Sequence, residues 1–177
     1  NGIRLFTLDD VVSITGIGTS TKADDDTSIG KFGVGFKAVF AYTNSPEIYS
    51  GNFSFRIHDL VVPSQEGMVR PNMDANKTRF VFPFNHPKKT PEKAVKEIEH
   101  SLLNLGDNTL LFLNHIKKVE FICPFRGFGS LERFDHGNGH IKIITNHING
   151  EVYSSHWLHF QKDVEVNGED GKNHVCT

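Results

Sequence analysis

The sequence predicts an α+β protein, a two-layer sandwich of helices on a mostly antiparallel mixed sheet. Helical and strand-like patterns follow one another in the order helix, helix, strands, helix, strands, which favours this class. The 15 phenylalanines among 177 residues fit the same architecture. Aromatic rings can fill the layer between helices and sheet.

Local signals predict three helices. Thr7 and Asp10, three residues apart, form a variant of the capping box that begins a short helix. Thr90 followed by Pro91 puts proline at the first position of another helix, for which Gly106 is the expected cap. The predicted helices cover residues 7–14, 36–42 and 90–105, and the third has a predicted core stripe of Val95, Ile98, Leu102 and Leu105.

Alternation with a period of two predicts the strands. Gly51-Asn52 forms one tight turn, and Asn149-Gly150 is the strongest short-range hairpin signal in the chain. The predicted strands cover residues 47–50, 53–58, 78–84, 118–123, 141–148 and 151–160. We interpret residues 125–129 as a boundary loop and expect the polar tail 167–177 to be frayed. The predicted domain therefore covers residues 1–125, and residues 126–177 form a β-hairpin extension with a frayed tail.

Composition restricts the classes of partner. The formal net charge of −2 lacks the basic excess of nucleic-acid binders, so nucleic acid is an unexpected ligand. No apolar run is long enough to span a bilayer, and no signal peptide is recognised, so a membrane partner is not expected. Cys123 and Cys176 are far apart and lack metal-ligand spacing, which fits a reduced intracellular protein, cytoplasmic or nuclear.

A glycine loop is the strongest candidate for chemistry. Gly30, Gly33 and Gly35 occur in the order G-x-x-G-x-G directly before a predicted helix. Glycine permits positive φ and close approach of the backbone to a ligand. The N–H groups at a helix start, with the helix dipole, favour an anion such as phosphate. A purely structural alternative, in which these glycines allow tight helix–sheet packing, stays open.

Other phosphate-binding loops fit less well. A dinucleotide fingerprint needs G-x-G-x-x-G after a strand, whereas the spacing here is reversed. A P-loop needs Gly-Lys-Ser/Thr, but Phe32 follows Lys31. The H-R-D set of protein kinases is absent.

The residues around the glycines resemble a known family. The segment 29–40, Ile-Gly-Lys-Phe-Gly-Val-Gly-Phe-Lys-Ala-Val-Phe, is similar to the glycine motif of GHKL ATPases, particularly sacsin-like proteins and the ninety-kilodalton heat-shock chaperones. Asn1-Gly2 resembles the end of their Asp-x-Gly adenine motif, and residues 16–22 resemble their ATP lid. Residues 77–82 resemble the strand whose threonine supports adenine binding, and residues 111–118 are more weakly similar to sacsin-like proteins. The resemblance implies an incomplete Bergerat ATP-binding fold.

The resemblance also implies roles for individual residues, with ATP as the cofactor. The phosphate-binding residues would be Gly30, Lys31, Gly33, Val34, Gly35 and Phe36; the lid residues Gly18, Ser20, Thr21 and Lys22; and the adenine-side residues Asn1, Gly2 and Thr78. For Lys31 the alternative is an ordinary solvated loop lysine, and for the lid residues a polar loop without ligand.

This chain departs from the family pattern at its start. The family's water-activating glutamate and Mg²⁺-binding asparagine belong to a helix that would precede Asn1, as would the aspartate that reads adenine. Arg4 stands where the adenine motif has glycine. We therefore expect the chain to be an N-terminally truncated part of an ATPase. It has no assigned catalytic residue, and Mg²⁺ is expected only in the complete domain.

Histidines suggest a second kind of site. His136, His140 and His147 cluster in sequence, and His156 and His159 lie across the Asn149-Gly150 turn. Strand alternation would place His156 and His159 on opposite faces, and no cysteine or carboxylate completes a ligand set. We interpret these histidines as surface residues and assign no metal ligands.

Two functions from different classes follow. One is an ATP-binding module of a chaperone-like ATPase, whose nucleotide closes a lid and whose partners include client proteins. The other is a degenerate, non-catalytic Bergerat scaffold that binds other proteins through the hairpins of its second half.

Overall fold

The computed structural model describes residues 4–16, 35–113, 115–124 and 126–160, and the backbone pairing of 164–167 with 173–176. The α+β class is confirmed, with two antiparallel four-stranded sheets, a two-stranded pair and few helices in this part of the chain. The sheet predicted as one is therefore divided. The chain forms two compact units, residues 1–105 with 113–116, and residues 106–112 with 117–177. The predicted boundary after residue 125 stays a prediction.

The helices and strands have the following bounds. The first unit contains α1 Leu8–Thr15, a 3₁₀ helix Phe36–Ala41, β1 Glu47–Ser50, β2 Phe53–His58, β3 Val62–Ser64, β4 Arg79–Val81 and α2 Pro91–Leu103. The second contains a 3₁₀ helix Asp107–Leu111, β5 Lys118–Cys123, β6 Gly127–Asp135, β7 His140–Asn146, β8 Val152–Leu158, β9 Val164–Asn167 and β10 Asn173–Cys176. None of the helices in the described ranges is long and apolar enough to cross a membrane.

The predicted N-terminal caps of both α-helices are confirmed, whereas the predicted cap at Gly106 is wrong. The Thr7 backbone N–H donates to the Asp10 carboxylate at 2.8 Å, and the Thr7 hydroxyl accepts from the Asp10 N–H, so the capping box is complete. The Thr90 hydroxyl accepts from the backbone N–H of Lys93 at 3.3 Å. α2 ends at Asn104 instead of Gly106, because the Asn104 side-chain amide donates to the His100 carbonyl at 2.7 Å and caps the last turn.

The predicted helix 36–42 is a 3₁₀ helix of six residues. Beyond it, the buried Thr43 hydroxyl donates to Asn85 Oδ1 at 3.2 Å, and the backbone N–H of Asn44 donates to the same atom at 2.8 Å. These bonds hold the chain in the turn that leads into β1. The helix therefore ends after two turns, and tertiary contacts rather than helix propensity set its form.

The first sheet has the strand order β3-β2-β1-β4, with every pair antiparallel. The predicted Gly51-Asn52 turn joins β1 to β2, with Ser50 opposite Phe53. Gly51 adopts φ +54°, a conformation that favours glycine. One face of this sheet carries the core residues Ile48, Phe55 and Ile57, against which pack Phe6, Val11, Ile14, Phe36, Phe40 and Phe53.

β4 is shorter than the predicted strand 78–84. It covers only Arg79–Val81, since Pro83 has no N–H with which to continue the ladder. Phe80 and Phe82 nevertheless stack on each other, with ring centroids 6.2 Å apart. Both rings lie within 6.4 Å of the Phe36 ring, so this aromatic cluster joins the 3₁₀ helix to β4.

The second sheet has the order β5-β6-β7-β8, again antiparallel. The prediction of a loop over residues 125–129 was wrong for Gly127–Gly129, which begin β6. Gly129 lies opposite Phe121 in the register, and the phenylalanine ring fills the space above it. The β7–β8 hairpin is confirmed, and Gly150 takes φ +86° in its turn. β9 pairs with β10, and β10 lies in the segment 167–177 for which the sequence predicts a frayed tail.

Candidate functional site

Three of the predicted nucleotide-site residues belong to the described part of the chain. Gly35 and Phe36 lie at the start of the 3₁₀ helix, and Thr78 directly precedes β4, all within the first unit. The other predicted site residues lie outside the described residues: Asn1, Gly2, Gly18, Ser20, Thr21, Lys22, Gly30, Lys31, Gly33 and Val34.

Gly35 has no structural need to be glycine within the described residues. Its backbone dihedrals, φ −58° and ψ −44°, are those of an ordinary right-handed helical residue. A Cβ added there would meet no described heavy atom within 4 Å. A positive φ is therefore not the reason for glycine at residue 35. Tight packing against the described residues does not require glycine there either.

The side chain of Phe36 anchors the residue that follows Gly35. Its ring lies 6.4 Å from the Phe40 ring at 89°, an edge-to-face arrangement, and 6.0 Å from the Phe80 ring. These contacts fix the position of the Phe36 backbone relative to the first sheet.

Thr78 takes part in a hydrogen-bond relay that the sequence did not predict. Its hydroxyl lies 2.6 Å from the hydroxyl of Ser50, and either group can donate. The Ser50 hydroxyl also accepts from the backbone N–H of Phe6 at 2.9 Å. Ser50 is fully buried. The relay therefore connects the start of β4, the end of β1 and the segment before α1.

Lys37 makes two long-range hydrogen bonds that the sequence did not predict. Its ammonium donates to the Ile14 carbonyl at 3.0 Å and to the Leu60 carbonyl. Burial lowers the pKa of Lys37 below its ordinary value. Ile14 lies in the last turn of α1, immediately before the segment 16–22 that resembles a lid. Lys37 therefore joins the helix after the glycine loop to the residue range where the lid would begin.

The Leu60 carbonyl belongs to a strained turn between β2 and β3. Asp59 and Leu60 both adopt left-handed conformations, with φ +48° and +68°. Such dihedrals are unfavourable for a bulky side chain such as leucine. The bond from Lys37 is one of the contacts that hold the turn in place. The turn also lines an open depression of about 550 Å³, together with Phe40, Asn44 and His58. Gly35, Phe36 and Thr78, the predicted nucleotide-site residues in the described ranges, do not line this depression.

An ion pair holds β1 and β2 together. The Arg56 Nε donates to Glu47 Oε1 at 3.1 Å, and the Tyr49 hydroxyl donates to Glu47 Oε2 at 2.8 Å. Partial burial opposes ionisation of Glu47, but the hydrogen bonds from Arg56 and Tyr49 outweigh it and lower the pKa of this carboxyl group. The ionised carboxylate of Glu47 therefore stabilises the first sheet, to which Ser50 belongs.

Three of the five histidines that were interpreted as surface residues lie close together. The His140 ring lies 5.1 Å from that of His136 and 5.2 Å from that of His156. His140 Nε2 is 2.9 Å from His156 Nδ1. His159 lies beyond the end of β8, where its N–H donates to the Gly139 carbonyl at 2.7 Å. Across the described ranges, no group of three or more His, Cys, Asp or Glu residues is arranged to hold a metal ion.

Comparison with known proteins shows that this chain is similar to sacsin-like proteins. The family model for the Sacsin domain matches residues 3–80, a range that includes Gly35, Ser50 and Thr78. The chain is 34% identical over 136 residues to Protein NO VEIN of Arabidopsis thaliana, covering 66% of the chain and 5% of that protein. It is 26% identical over 156 residues to Sacsin of Homo sapiens, covering 67% of the chain and 3% of that protein. The chain thus spans a small fraction of each relative, and no solved structure matches it significantly.

Proposed function

We propose that this chain is the ATP-binding module of a GHKL-type, chaperone-like ATPase with an incomplete Bergerat fold. In this proposal the glycine segment 30–36 binds the phosphates and residues 18–22 belong to a lid that closes over them. The sacsin-like match over residues 3–80 supports the proposal, because it includes every proposed site residue except Asn1 and Gly2. Client or partner proteins would respond to the resulting conformational cycle.

The observation that carries the proposal is the backbone conformation of Gly35 together with the space at its Cβ position. Its dihedrals suit any residue, and a Cβ there would meet no described atom within 4 Å. A glycine at such a position lowers stability relative to alanine, since it adds freedom to the unfolded chain. A phosphate oxygen bound at the backbone N–H groups would explain why the position has no side chain. The proposal does not depend on a helix dipole, because the helix that follows has only six residues.

The relay through Ser50 supports the proposed adenine side. It holds the Thr78 hydroxyl at a fixed distance from the segment that follows Asn1-Gly2, since Phe6 is only four residues beyond Gly2. A hydroxyl held in this way can donate to or accept from a ring nitrogen or a bound water. Thr78 would then orient the base while Gly35 and Phe36 orient the phosphates.

Hydrolysis requires groups that we do not assign to this chain. In-line attack on a terminal phosphate needs a positioned water and a metal ion to neutralise charge. Gly35, Phe36 and Thr78 can bind and orient a nucleotide, but none of them can activate water. We expect ATP hydrolysis no faster than background in a phosphate-release assay with Mg²⁺. If the chain hydrolyses ATP and Gly33→Ala abolishes that hydrolysis, the requirement for an upstream glutamate is contradicted.

A nuclear magnetic resonance titration tests the phosphate site in the chain itself. The ¹⁵N-labelled protein is titrated with ATP, with tripolyphosphate and with adenosine. We expect ATP and tripolyphosphate to shift the backbone amides of residues 30–36 with weak, millimolar affinity. Adenosine should leave those amides unchanged, because it carries no phosphate. A response to tripolyphosphate that avoids residues 30–36 would contradict the proposal, as would micromolar, adenine-selective binding.

A non-catalytic scaffold is the second candidate function. The observation that favours it is that β8, at the edge of the second sheet, is exposed and contains no charged residue. The sequence upstream of Asn1 discriminates between the candidates. An aspartate directly before Asn1, with a glutamate and an asparagine on an upstream helix, would favour the ATPase. We propose an intracellular location for either function, consistent with the free, buried thiol of Cys123.

A further inference from the structure

The two edges of the second sheet differ in charge. β5 forms one edge and carries Lys118 and Glu120, which form an ion pair of 3.0 Å. Lys118 also lies 3.8 Å from Glu132 on β6. Charged residues on an edge strand discourage pairing with another chain. β8 forms the opposite edge and contains neither a charged residue nor a proline between Val152 and Leu158. Within the described strand, β8 therefore carries none of the charges or prolines that usually protect an edge.

Apolar side chains of β8 are strongly exposed. The exposed fractions are 63% for Val152, 52% for Tyr153, 36% for Trp157 and 66% for Leu158. A seven-residue edge strand with such side chains is a favourable template for the addition of another strand. The chemistry of the edge therefore points to a strand partner with apolar and aromatic side chains of its own.

The hydrogen bonds of the hairpin determine which backbone groups of β8 face outward. The His147 N–H donates to the Glu151 carbonyl at 2.8 Å, and the His159 N–H donates to the Gly139 carbonyl at 2.7 Å. These bonds fix the alternation of hydrogen-bonded pairs between β7 and β8. The backbone groups of the odd-numbered residues of β8 therefore face β7. Those of the even-numbered residues point away from the sheet, namely Val152, Ser154, His156 and Leu158.

This alternation allows β8 to pair with a second copy of itself. In an antiparallel pair, outward-facing residues must lie opposite outward-facing residues. A register centred on Ser155 satisfies this condition over the full length of the strand. Val152 then lies opposite Leu158 of the second copy, and Ser154 lies opposite His156 of the second copy. The odd-numbered positions pair Tyr153 with Trp157 of the second copy, and Ser155 with its own equivalent.

We propose that β8 is a homodimer interface, in which two copies pair antiparallel about a twofold axis at Ser155. The second sheet of one copy and the second sheet of the other would then form one continuous sheet. The strand complements itself, since every apolar side chain meets an apolar one and no charge is brought near another of the same sign. This self-complementarity favours a second copy as the partner. The inference is independent of the proposed nucleotide site.

Disulfide trapping tests the register. Ser155 and its equivalent would form a non-hydrogen-bonded pair, with Cα atoms about 4.5 Å apart, within the range that a disulfide spans. The two copies of Ser154 would be diagonal neighbours about 7–8 Å apart, beyond that range. We expect the Ser155→Cys variant to form a covalent dimer on mild oxidation, and the matched Ser154→Cys variant to remain uncrosslinked. Wild-type protein, run in parallel, measures any crosslinking through Cys123 or Cys176.

Sedimentation measures the association itself. We expect wild-type protein to show a concentration-dependent monomer–dimer equilibrium at or below about 0.1 mM. Ser154→Lys places a charge on the outer edge and should raise the dimer dissociation constant by about tenfold or more. Asn76→Lys, which adds the same charge at an exposed position of the first unit, should leave it unchanged. Circular dichroism confirms that the variants are folded.

Two results would overturn the proposal. One is a wild-type protein that stays monomeric throughout this concentration range. The other is equal crosslinking of the Ser154→Cys and Ser155→Cys variants, which would show collision without the specified register.

Discussion

Ser50 and Thr78 hydrogen-bond through their hydroxyl oxygens at 2.6 Å, although they are 28 positions apart in the sequence. The Ser50 hydroxyl is buried and also accepts from the Phe6 backbone N–H. One small side chain thus fixes the threonine of the proposed adenine side relative to the segment that leads back to Asn1-Gly2. The geometry of this part of the site depends on a residue with no evident signature in the sequence.

Replacing Ser50 by alanine should destabilise the first unit. The change leaves the Phe6 N–H without its acceptor in a half-buried environment, which costs about 1–3 kcal/mol. Thr78→Ser keeps a hydroxyl and should cost much less. Urea unfolding of the three proteins measures the difference. A free energy of unfolding for Ser50→Ala that equals the wild-type value would show that the relay contributes nothing to stability.

Replacing Lys37 by methionine should destabilise the contact between α1 and the turn after β2. Methionine keeps an unbranched apolar side chain but removes the donor to the Ile14 and Leu60 carbonyls. We expect a loss of about 1–2 kcal/mol, measured by thermal unfolding. Lys88→Met, at an exposed position, is the matched control. If both variants melt alike, the two hydrogen bonds of Lys37 do not stabilise the turn.

Acid should weaken the first sheet through Glu47. Its folded-state pKa is depressed, so its ionised form contributes stability that is present above the ordinary value of 4.5 and is lost as pH falls through the folded pKa. The Glu47→Gln variant should be less stable than wild type by about 1 kcal/mol at pH 7, a reduced value because the pair is partly exposed. The difference should shrink as the pH falls below 4.5. Glu66→Gln, at an exposed position, serves as the control, and a pH-independent difference would exclude this role for the Glu47 charge.

Gly129→Ala should destabilise the second unit. A Cβ at residue 129 would lie 2.4 Å from the ring of Phe121, so the ring or the strand must move. Overpacking of this kind costs about 1–3 kcal/mol. Adding Phe121→Leu to Gly129→Ala should recover part of the loss, because the smaller side chain leaves room. Chemical denaturation of the single and double variants tests this, and additive losses would contradict it.

Short-range signals predicted the local features of the fold. The capping box at Thr7, the cap at Thr90 and the turns at Gly51-Asn52 and Asn149-Gly150 each depend on a few neighbouring residues, and all four were confirmed. The α+β class followed from the order of these elements.

Features that depend on distant residues were not predicted. β6 was interpreted as a loop at its start because Phe-Arg-Gly-Phe-Gly has the composition of a turn, whereas Phe121 on β5 covers Gly129. The turn after the 3₁₀ helix Phe36–Ala41 is held by hydrogen bonds to Asn85, which lies far along the chain. The roles of Ser50 and Lys37 likewise follow from partners that local patterns do not reveal.

The residues of the candidate site were identified by resemblance rather than by periodicity. Spacing alone left the glycines Gly30, Gly33 and Gly35 open to a phosphate or a packing role, since both uses need a small residue before a helix. For Gly35, the structure excludes packing against the described residues as the reason. The proposed nucleotide site therefore depends on a contact between Gly35 and phosphate.

The most direct test of that claim is Gly35→Ala in a protein that includes the residues upstream of Asn1. The melting temperature without nucleotide and the ATP affinity by calorimetry are measured on the same samples. We predict an unchanged or higher melting temperature, because alanine suits φ −58° and restricts the unfolded chain. We also predict that ATP binding is weakened by about tenfold or more. A variant that melts well below wild type, yet binds ATP normally when folded, would contradict the account and show Gly35 to be a packing residue.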